Sequence, residues 1–289
     1  MGFKQVAVQL TKISKVNTVV VSESCRFVLS GADDRCCKVY DLQERAVVHS
    51  FIPHPNAMIY CAKISPDETK CITCSWDRQI KVFSFPLGEV PLLVLEGHSG
   101  VIMSIDVDKN FSRVISGSWD NTARVWDLTT GHCLAVLDRH EGDCNAVAIS
   151  ADGTKAVTGS DDKVCLLWDL ETGQVLRQFN GHSKMIVSVA FRAQGDSFIL
   201  ITGSWDGTCR LYSNHTDDNG VLLSHFGHKV ASVQLSPSGS YLAIGSFNKE
   251  LRTADVAAED RDRLLTLLRL GRLPKEVIMT VGAMLMFYR

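Results

Sequence analysis

Ser-Trp-Asp recurs three times in this chain, as Ser75-Trp76-Asp77, Ser118-Trp119-Asp120 and Ser204-Trp205-Asp206. Three of only five tryptophans stand in that setting. The first two copies are 43 residues apart, and the third follows after 86, two periods of 43. Ser160-Asp161-Asp162 fills the vacant place in altered form. A fixed period of this size constrains the fold before any local reading. Each unit must be one supersecondary element that buries its faces against its neighbours.

A second landmark keeps the same period. Gly97-His98, Arg139-His140, Gly181-His182 and Gly227-His228 open successive units, and a looser Pro53-His54 opens an earlier one. Late in each unit comes a strand-like run ending in an aromatic residue, clearest in Ala123-Arg124-Val125-Trp126-Asp127 and Cys165-Leu166-Leu167-Trp168-Asp169. Weaker copies end at Tyr40, Phe83 and Tyr212. The third unit predicts four strands, over 101–107, 113–118, 122–126 and 133–137, separated by polar turns. One such antiparallel sheet cannot bury both faces alone. Radial stacking of sheets buries them and leaves only short edges, which is a β-propeller.

Gly-His to Trp-Asp at this period resembles the WD40 repeat family over roughly residues 5 to 256. The resemblance implies an all-β, WD40-type propeller, and six blades are recognisable. The first spans about Val16 to Phe51 without an opening His, since Ile13 stands near that place. The sixth starts at Gly227-His228 and has Ala254 where Trp126 stands in the third. The alternating run from Gln5 to Leu10 is read as the outer strand of the last blade, closing the ring through the chain ends. The family most often has seven blades, so three forms stay open: a six-bladed ring, a degenerate seventh blade, or a tail in its place. Residues 1–256 are assigned to the propeller and 257–289 to a helical C-terminal tail.

Each good unit offers His, Ser or Thr, Asp and Trp: His98, Ser116, Asp120 and Trp126 in the third, His140, Thr158, Asp162 and Trp168 in the fourth, His182, Thr202 and Asp206 in the fifth. Such a set invites a catalytic-triad reading, but a triad needs one nucleophile at one site. Repetition around the chain favours a scaffold. The family resemblance implies a buried relay in which Asp accepts from His and the hydroxyl links His to the indole N–H. Units with Phe83 or Tyr212 lose that indole donor and are expected to be less tightly tied.

The tryptophan of Ser-Trp-Asp is a separate matter. By resemblance, the end of the second strand lies on one rim in every blade, the top face. Trp76, Trp119 and Trp205 then share a surface with Phe247 and Asp161, and Arg78, Asn121 and Lys163 surround them. Either each Trp packs over its own turn, or these are anchors for a protein or peptide, a role in which Trp is enriched.

Composition narrows the classes. A hydrophobic content of 45% suits a large core, and a net charge of −2 recommends no nucleic acid. No secretory signal pattern opens the chain, and the ten cysteines have no zinc spacing beyond the lone Cys71-Ile72-Thr73-Cys74. Buried free thiols in an intracellular protein, cytoplasmic ahead of nuclear, fit that pattern. No metal, cofactor or catalytic residue is expected. In the tail, Leu264–Leu273 is Leu-rich and Val277–Tyr288 is an apolar run too short to span a bilayer, which needs about 20 residues. The tail is read as packed on the propeller, as partner-binding, or as a replacement for a blade. The expected function is a non-enzymatic scaffold binding proteins or peptides through its top face, as a subunit of a multiprotein complex. The alternative is the substrate-recognition subunit of a cullin-type ubiquitin ligase whose tail contacts an adaptor, because some family members carry an adaptor-binding box there. The usual Cys of that box is absent from the first helix.

Overall fold

A computed structural model describes residues 14–235, 241–247 and 251–255. They form a six-bladed β-propeller of 23 strands. Blade 1 contains β1 (Val16–Val21), β2 (Phe27–Ala32), β3 (Cys37–Asp41) and β4 (Ala46–Phe51). Blade 2 contains β5 (Ile59–Ile64), β6 (Lys70–Ser75), β7 (Ile80–Ser84) and β8 (Pro91–Leu95). Blade 3 contains β9 (Ile102–Val107), β10 (Arg113–Ser118), β11 (Ala123–Asp127) and β12 (Cys133–Leu137). Blade 4 contains β13 (Cys144–Ile149), β14 (Lys155–Ser160), β15 (Cys165–Asp169) and β16 (Val175–Phe179). Blade 5 contains β17 (Ile186–Gln194), β18 (Ser197–Ser204), β19 (Thr208–Ser213) and β20 (Val221–His225). Blade 6 contains β21 (Val230–Leu235), β22 (Tyr241–Ser246) and β23 (Leu251–Asp255). Every sheet is antiparallel in simple sequence order. The run Gln5–Leu10 expected to complete blade 6 and the tail 257–289 lie outside the described residues, as does the boundary between propeller and tail.

Why these sheets stack follows from their residues. The inner strand of each blade packs on the first two strands of the blade before it: β5 on β1 and β2, β9 on β5 and β6, and so on to β21 on β17 and β18. Apolar clusters fill the five seams between consecutive blades. Between blades 3 and 4, for example, Ile115, Val125 and Leu137 meet Val147, Leu166 and Trp168. Close approach is allowed by a glycine one place before the end of the second strand. A Cβ on Gly117 would stand 2.8 Å from the Cys144 carbonyl oxygen and 2.9 Å from Val147 Cγ1. Gly31, Gly159 and Gly203 occupy the same position, where a Cβ would stand 2.6 Å from a side chain of the next blade's inner strand. Blade 2 has Cys74 there, and its thiol reaches the Ile102 carbonyl at 3.6 Å.

The ten cysteines are all free thiols. Cys37, Cys71, Cys74, Cys144, Cys165 and Cys209 are buried, and burial pushes the Cys71 thiol up to about 12. Among the described residues no group of His, Cys, Asp and Glu is arranged to hold a metal, and no helix is long and apolar enough to cross a membrane.

Candidate functional site

Each second strand ends in a tight turn built by its own side chains. In blade 3 the Asp120 N–H donates to Ser118 Oγ at 3.2 Å, and the Thr122 N–H donates to Asp120 Oδ1 at 3.0 Å. Blades 2, 4 and 5 repeat this with Ser75–Asp77–Gln79, Ser160–Asp162–Val164 and Ser204–Asp206–Thr208. Short hydroxyls and carboxylates that bond the backbone two residues on favour such turns. The turn's last residue lies in the left-handed region, with φ of 68° at Arg78, 67° at Asn121, 74° at Lys163 and 83° at Gly207. This is the type I turn with a left-handed residue common in three-residue hairpins.

Beneath the turn lies a buried chain of hydrogen bonds. His98 Nδ1 is 2.8 Å from Asp120 Oδ2, His98 Nε2 is 2.7 Å from Ser116 Oγ, and the Trp126 indole N–H donates to that same oxygen at 2.9 Å. An indole only donates and a carboxylate only accepts. In neutral His98, therefore, Nδ1 carries the proton toward Asp120, and the Ser116 hydroxyl donates to Nε2. Blade 4 matches it: His140 to Asp162 at 2.7 Å, His140 to Thr158 at 2.7 Å and Trp168 to Thr158 at 2.9 Å. In blade 5, His182 meets Asp206 at 2.9 Å and Thr202 at 2.6 Å, with buried Tyr212 in place of the indole. In blade 2, His54 meets Asp77 at 2.7 Å and Thr73 at 3.0 Å, above buried Phe83. The His–hydroxyl contact is thus present with or without the indole.

The aspartates hold their charge strongly. Burial acts on Asp120 most and pushes it upward. Hydrogen bonds from His98, Thr122 and the Ser99 N–H outweigh it and hold the carboxyl well below the usual range. Asp206 is held low in the same way by His182 and Thr208 against its burial, and Asp77 and Asp162 are lowered too. Chemically the set resembles a Ser–His–Asp triad. Ser116 Oγ, however, is fully buried and already accepts the Trp126 indole, so a substrate has no approach to it.

The tryptophan between Ser and Asp takes no part in these bonds. Trp76 and Trp119 are 44% and 40% exposed, whereas Trp126 and Trp168 are buried. The Trp76 and Trp119 rings meet edge to face across the blade seam, 6.3 Å between centroids, and Tyr60 lies edge-on to Trp76 at 6.4 Å. Trp205 is half-buried, and the Lys229 ammonium sits 3.5 Å over its ring. Phe247 is 47% exposed. Arg78 and Lys163 are exposed on the left-handed corners beside these rings, as is Asn121, and Asp161 accepts a hydrogen bond from Asn145.

Each of these positions shares one main-chain tie. The N–H groups of Asp33, Trp76, Trp119, Asp161, Trp205 and Phe247 donate to the carbonyls of Lys15, Met58, Val101, Asp143, Met185 and Lys229, at 2.9 to 3.2 Å. The carbonyl residue directly precedes the inner strand in every blade. Two side chains per blade, from two loops, therefore reach the same end of the ring. The carbonyl-bearing residues, and Tyr60 two places beyond one of them, were not singled out from the sequence. Their types differ from blade to blade, and only counting back from each inner strand reveals them.

The family model described as "WD domain, G-beta repeat" matches six times, at residues 8–41, 45–84, 89–127, 131–169, 173–213 and 220–253. Similar proteins include nuclear distribution protein nudF of Aspergillus flavus, 27% identical over 121 residues, covering 42% of this chain and 27% of that protein. COMPASS component SWD3 of Saccharomyces cerevisiae is 30% identical over 108 residues, 37% of this chain and 33% of that protein. Eukaryotic translation initiation factor 3 subunit I of Schizosaccharomyces pombe is 38% identical over 69 residues, 24% of this chain and 21% of that protein. The chain thus spans between a fifth and a third of the length of these three relatives.

Proposed function

From the premise that this chain belongs to the WD domain, G-beta repeat family, whose propellers generally act as scaffolds for protein interaction, we propose that it is a non-enzymatic subunit of a protein assembly. Its top face is the docking surface. The observation that carries this reading is the exposed Trp76–Trp119 pair. Two large rings are held side by side at the surface, and no bond of the scaffold requires either of them. Exposed aromatic side chains that a partner can bury are common anchors of protein interfaces. Trp205 and Phe247 extend the surface, and Arg78, Asn121, Asp161 and Lys163 form its polar surround. The names of two relatives, a COMPASS component and an initiation-factor subunit, agree with membership in a complex.

The test is proximity labelling and affinity purification of the full chain beside Trp76→Ala, Trp119→Ala and Trp205→Ala variants. Each variant is checked for an unchanged melting temperature. Loss of the same set of proteins from the Trp76 and Trp119 variants is the expected result. Retention of every partner by all three variants would remove the top face from consideration.

A further inference from the structure

Every inner strand but one presses apolar side chains into the blade before it. In blade 3 these are Ile102 and Ile105, with Val114 of the second strand beside them. In blade 4 they are Cys144 and Val147, with Ala156. All six are 0 to 5% exposed. The register carries the same positions to blade 1. Val16 pairs with Ala32 as Ile102 pairs with Ser118, and Val28 pairs with Tyr40 as Val114 pairs with Trp126. Yet Val16, Val19 and Val28 are only half-buried, although Tyr40 is buried.

Blade 6 shows the other side of the same break. Gly245 holds the seam-glycine position, since it pairs with Ser232 as Gly117 pairs with Ser104. It is half-buried, whereas Gly31, Gly117, Gly159 and Gly203 are buried. Among the described residues β1 does not pack on β21 and β22 as every other inner strand packs on the blade before it. No apolar cluster of described residues joins blade 6 to blade 1. The described strands therefore leave the ring unsealed at one seam.

We propose that residues 256–289 of this same chain fill that seam, as an apolar layer between blade 6 and blade 1. The described chain leaves β23 at Asp255, so the segment emerges from the blade that lines the seam. It has 34 residues, close to the span of blade 2 from Ile59 to Leu95. It holds the Leu-rich stretch 264–270 and the apolar run Val277–Tyr288, and burying these against the half-buried valines removes both surfaces from water. Packed sheets stand about 10 Å apart and a helix is about as thick, so a segment of this length can add one layer in either form. The run Gln5–Leu10 does not serve. A single strand on the outer edge of β23 would lengthen blade 6 and leave Val16 and Gly245 uncovered. The seam is separate from the top face, so this inference and the docking reading stand or fall independently.

The experiment uses the full chain with the photoprobe p-benzoylphenylalanine replacing Val16 in one preparation and Val19 in a second. Crosslinks are mapped by mass spectrometry after irradiation. Both sites should capture residues 256–289 of the same chain. The same probe replacing Leu92, exposed on the outer strand β8, should not. Capture of residues 1–13 or of a second copy in place of 256–289 overturns the proposal, and so does equal capture of the segment from Leu92. Amide hydrogen exchange gives a second readout, in the full chain carrying Leu267→Asp/Leu268→Asp. Exchange in β1 and β22 should rise about tenfold while β9 and β10 keep the parent's rates. Parental rates in β1 and β22 overturn the proposal.

Discussion

Trp126 and His98 are bound to one oxygen atom. The indole N–H of Trp126 donates to Ser116 Oγ at 2.9 Å, and His98 Nε2 lies 2.7 Å from it. Through Asp120 the same chain reaches the surface turn. One hydroxyl thus ties the third strand, the loop ahead of the inner strand and the top turn of blade 3 into a single unit.

Removing that hydroxyl leaves two buried polar groups without a partner. Ser116→Ala should cost about 2–4 kcal/mol, since an unsatisfied buried donor or acceptor costs roughly 1–3 kcal/mol. Ser116→Thr should cost under about 1 kcal/mol, because Thr73, Thr158 and Thr202 fill the equivalent place in blades 2, 4 and 5. Urea unfolding midpoints of the two variants measure the difference.

Acid should attack the turns. Asp120, Asp206, Asp77 and Asp162 are all held below their ordinary value in the folded chain. Below that value the unfolded chain binds more protons than the folded one, so stability falls as pH falls. Their contribution is complete above about pH 4, near the ordinary aspartate value, and disappears as pH drops through the lowered folded values. Urea midpoints between pH 2 and 6 should decline below pH 4, and Asp120→Asn should flatten that decline. A variant with the parent's full acid slope would show that Asp120 contributes none of it.

The left-handed corners store strain that glycine relieves. Lys163 has φ of 74° and Arg78 has φ of 68°, where Gly207 stands in blade 5. A side-chain-bearing residue there costs roughly 1–2 kcal/mol, and glycine gives back about 0.5–1 kcal/mol through the unfolded chain. Lys163→Gly should raise stability by about 0.5 kcal/mol and the melting temperature by roughly 1–2 °C. A fall in melting temperature would mean that the lysine side chain has a structural role.

A methyl group in a seam should be expensive. Gly117→Ala would press a Cβ against the Cys144 carbonyl oxygen and Val147 Cγ1. Backbone oxygen cannot rotate away, so blades 3 and 4 must part, at a cost of about 1–3 kcal/mol. Thermal unfolding should show the loss without a change in the spectrum of the folded state. A midpoint equal to that of the parent would mean that the blades part at no cost.

Much of this architecture is legible in the residues. The period of 43 locates the blades, and the strands of blade 3 fall within one residue of the pattern, β9 starting at Ile102 and β11 running from Ala123 to Asp127. Blade 2 is less legible. Pro53 replaces the opening glycine and Phe83 replaces the tryptophan, so His54, Thr73 and Asp77 do not stand out as a set, yet their side chains meet. The top surface is the least legible part. Repetition reveals what is constant, and the residues that face a partner are those that vary. Tyr60 and Asp143 carry no mark except their distance from an inner strand. Tyr60 meets Trp76 within blade 2, from the inner strand onto the top turn, a relation that alignment of one blade on another cannot display.

The main-chain bonds that hold the top positions have an evolutionary consequence. They use N–H and C=O groups that nearly every amino acid supplies, so the scaffold is indifferent to which side chain hangs there. Asp33, Trp76, Trp119, Asp161, Trp205 and Phe247 already sample acidic and aromatic types on the same attachment. Only proline, which lacks the N–H, is barred by that bond. Binding specificity can therefore drift one substitution at a time with no compensating change beneath it, and a fold this repetitive can diverge in what it recognises while remaining the same fold.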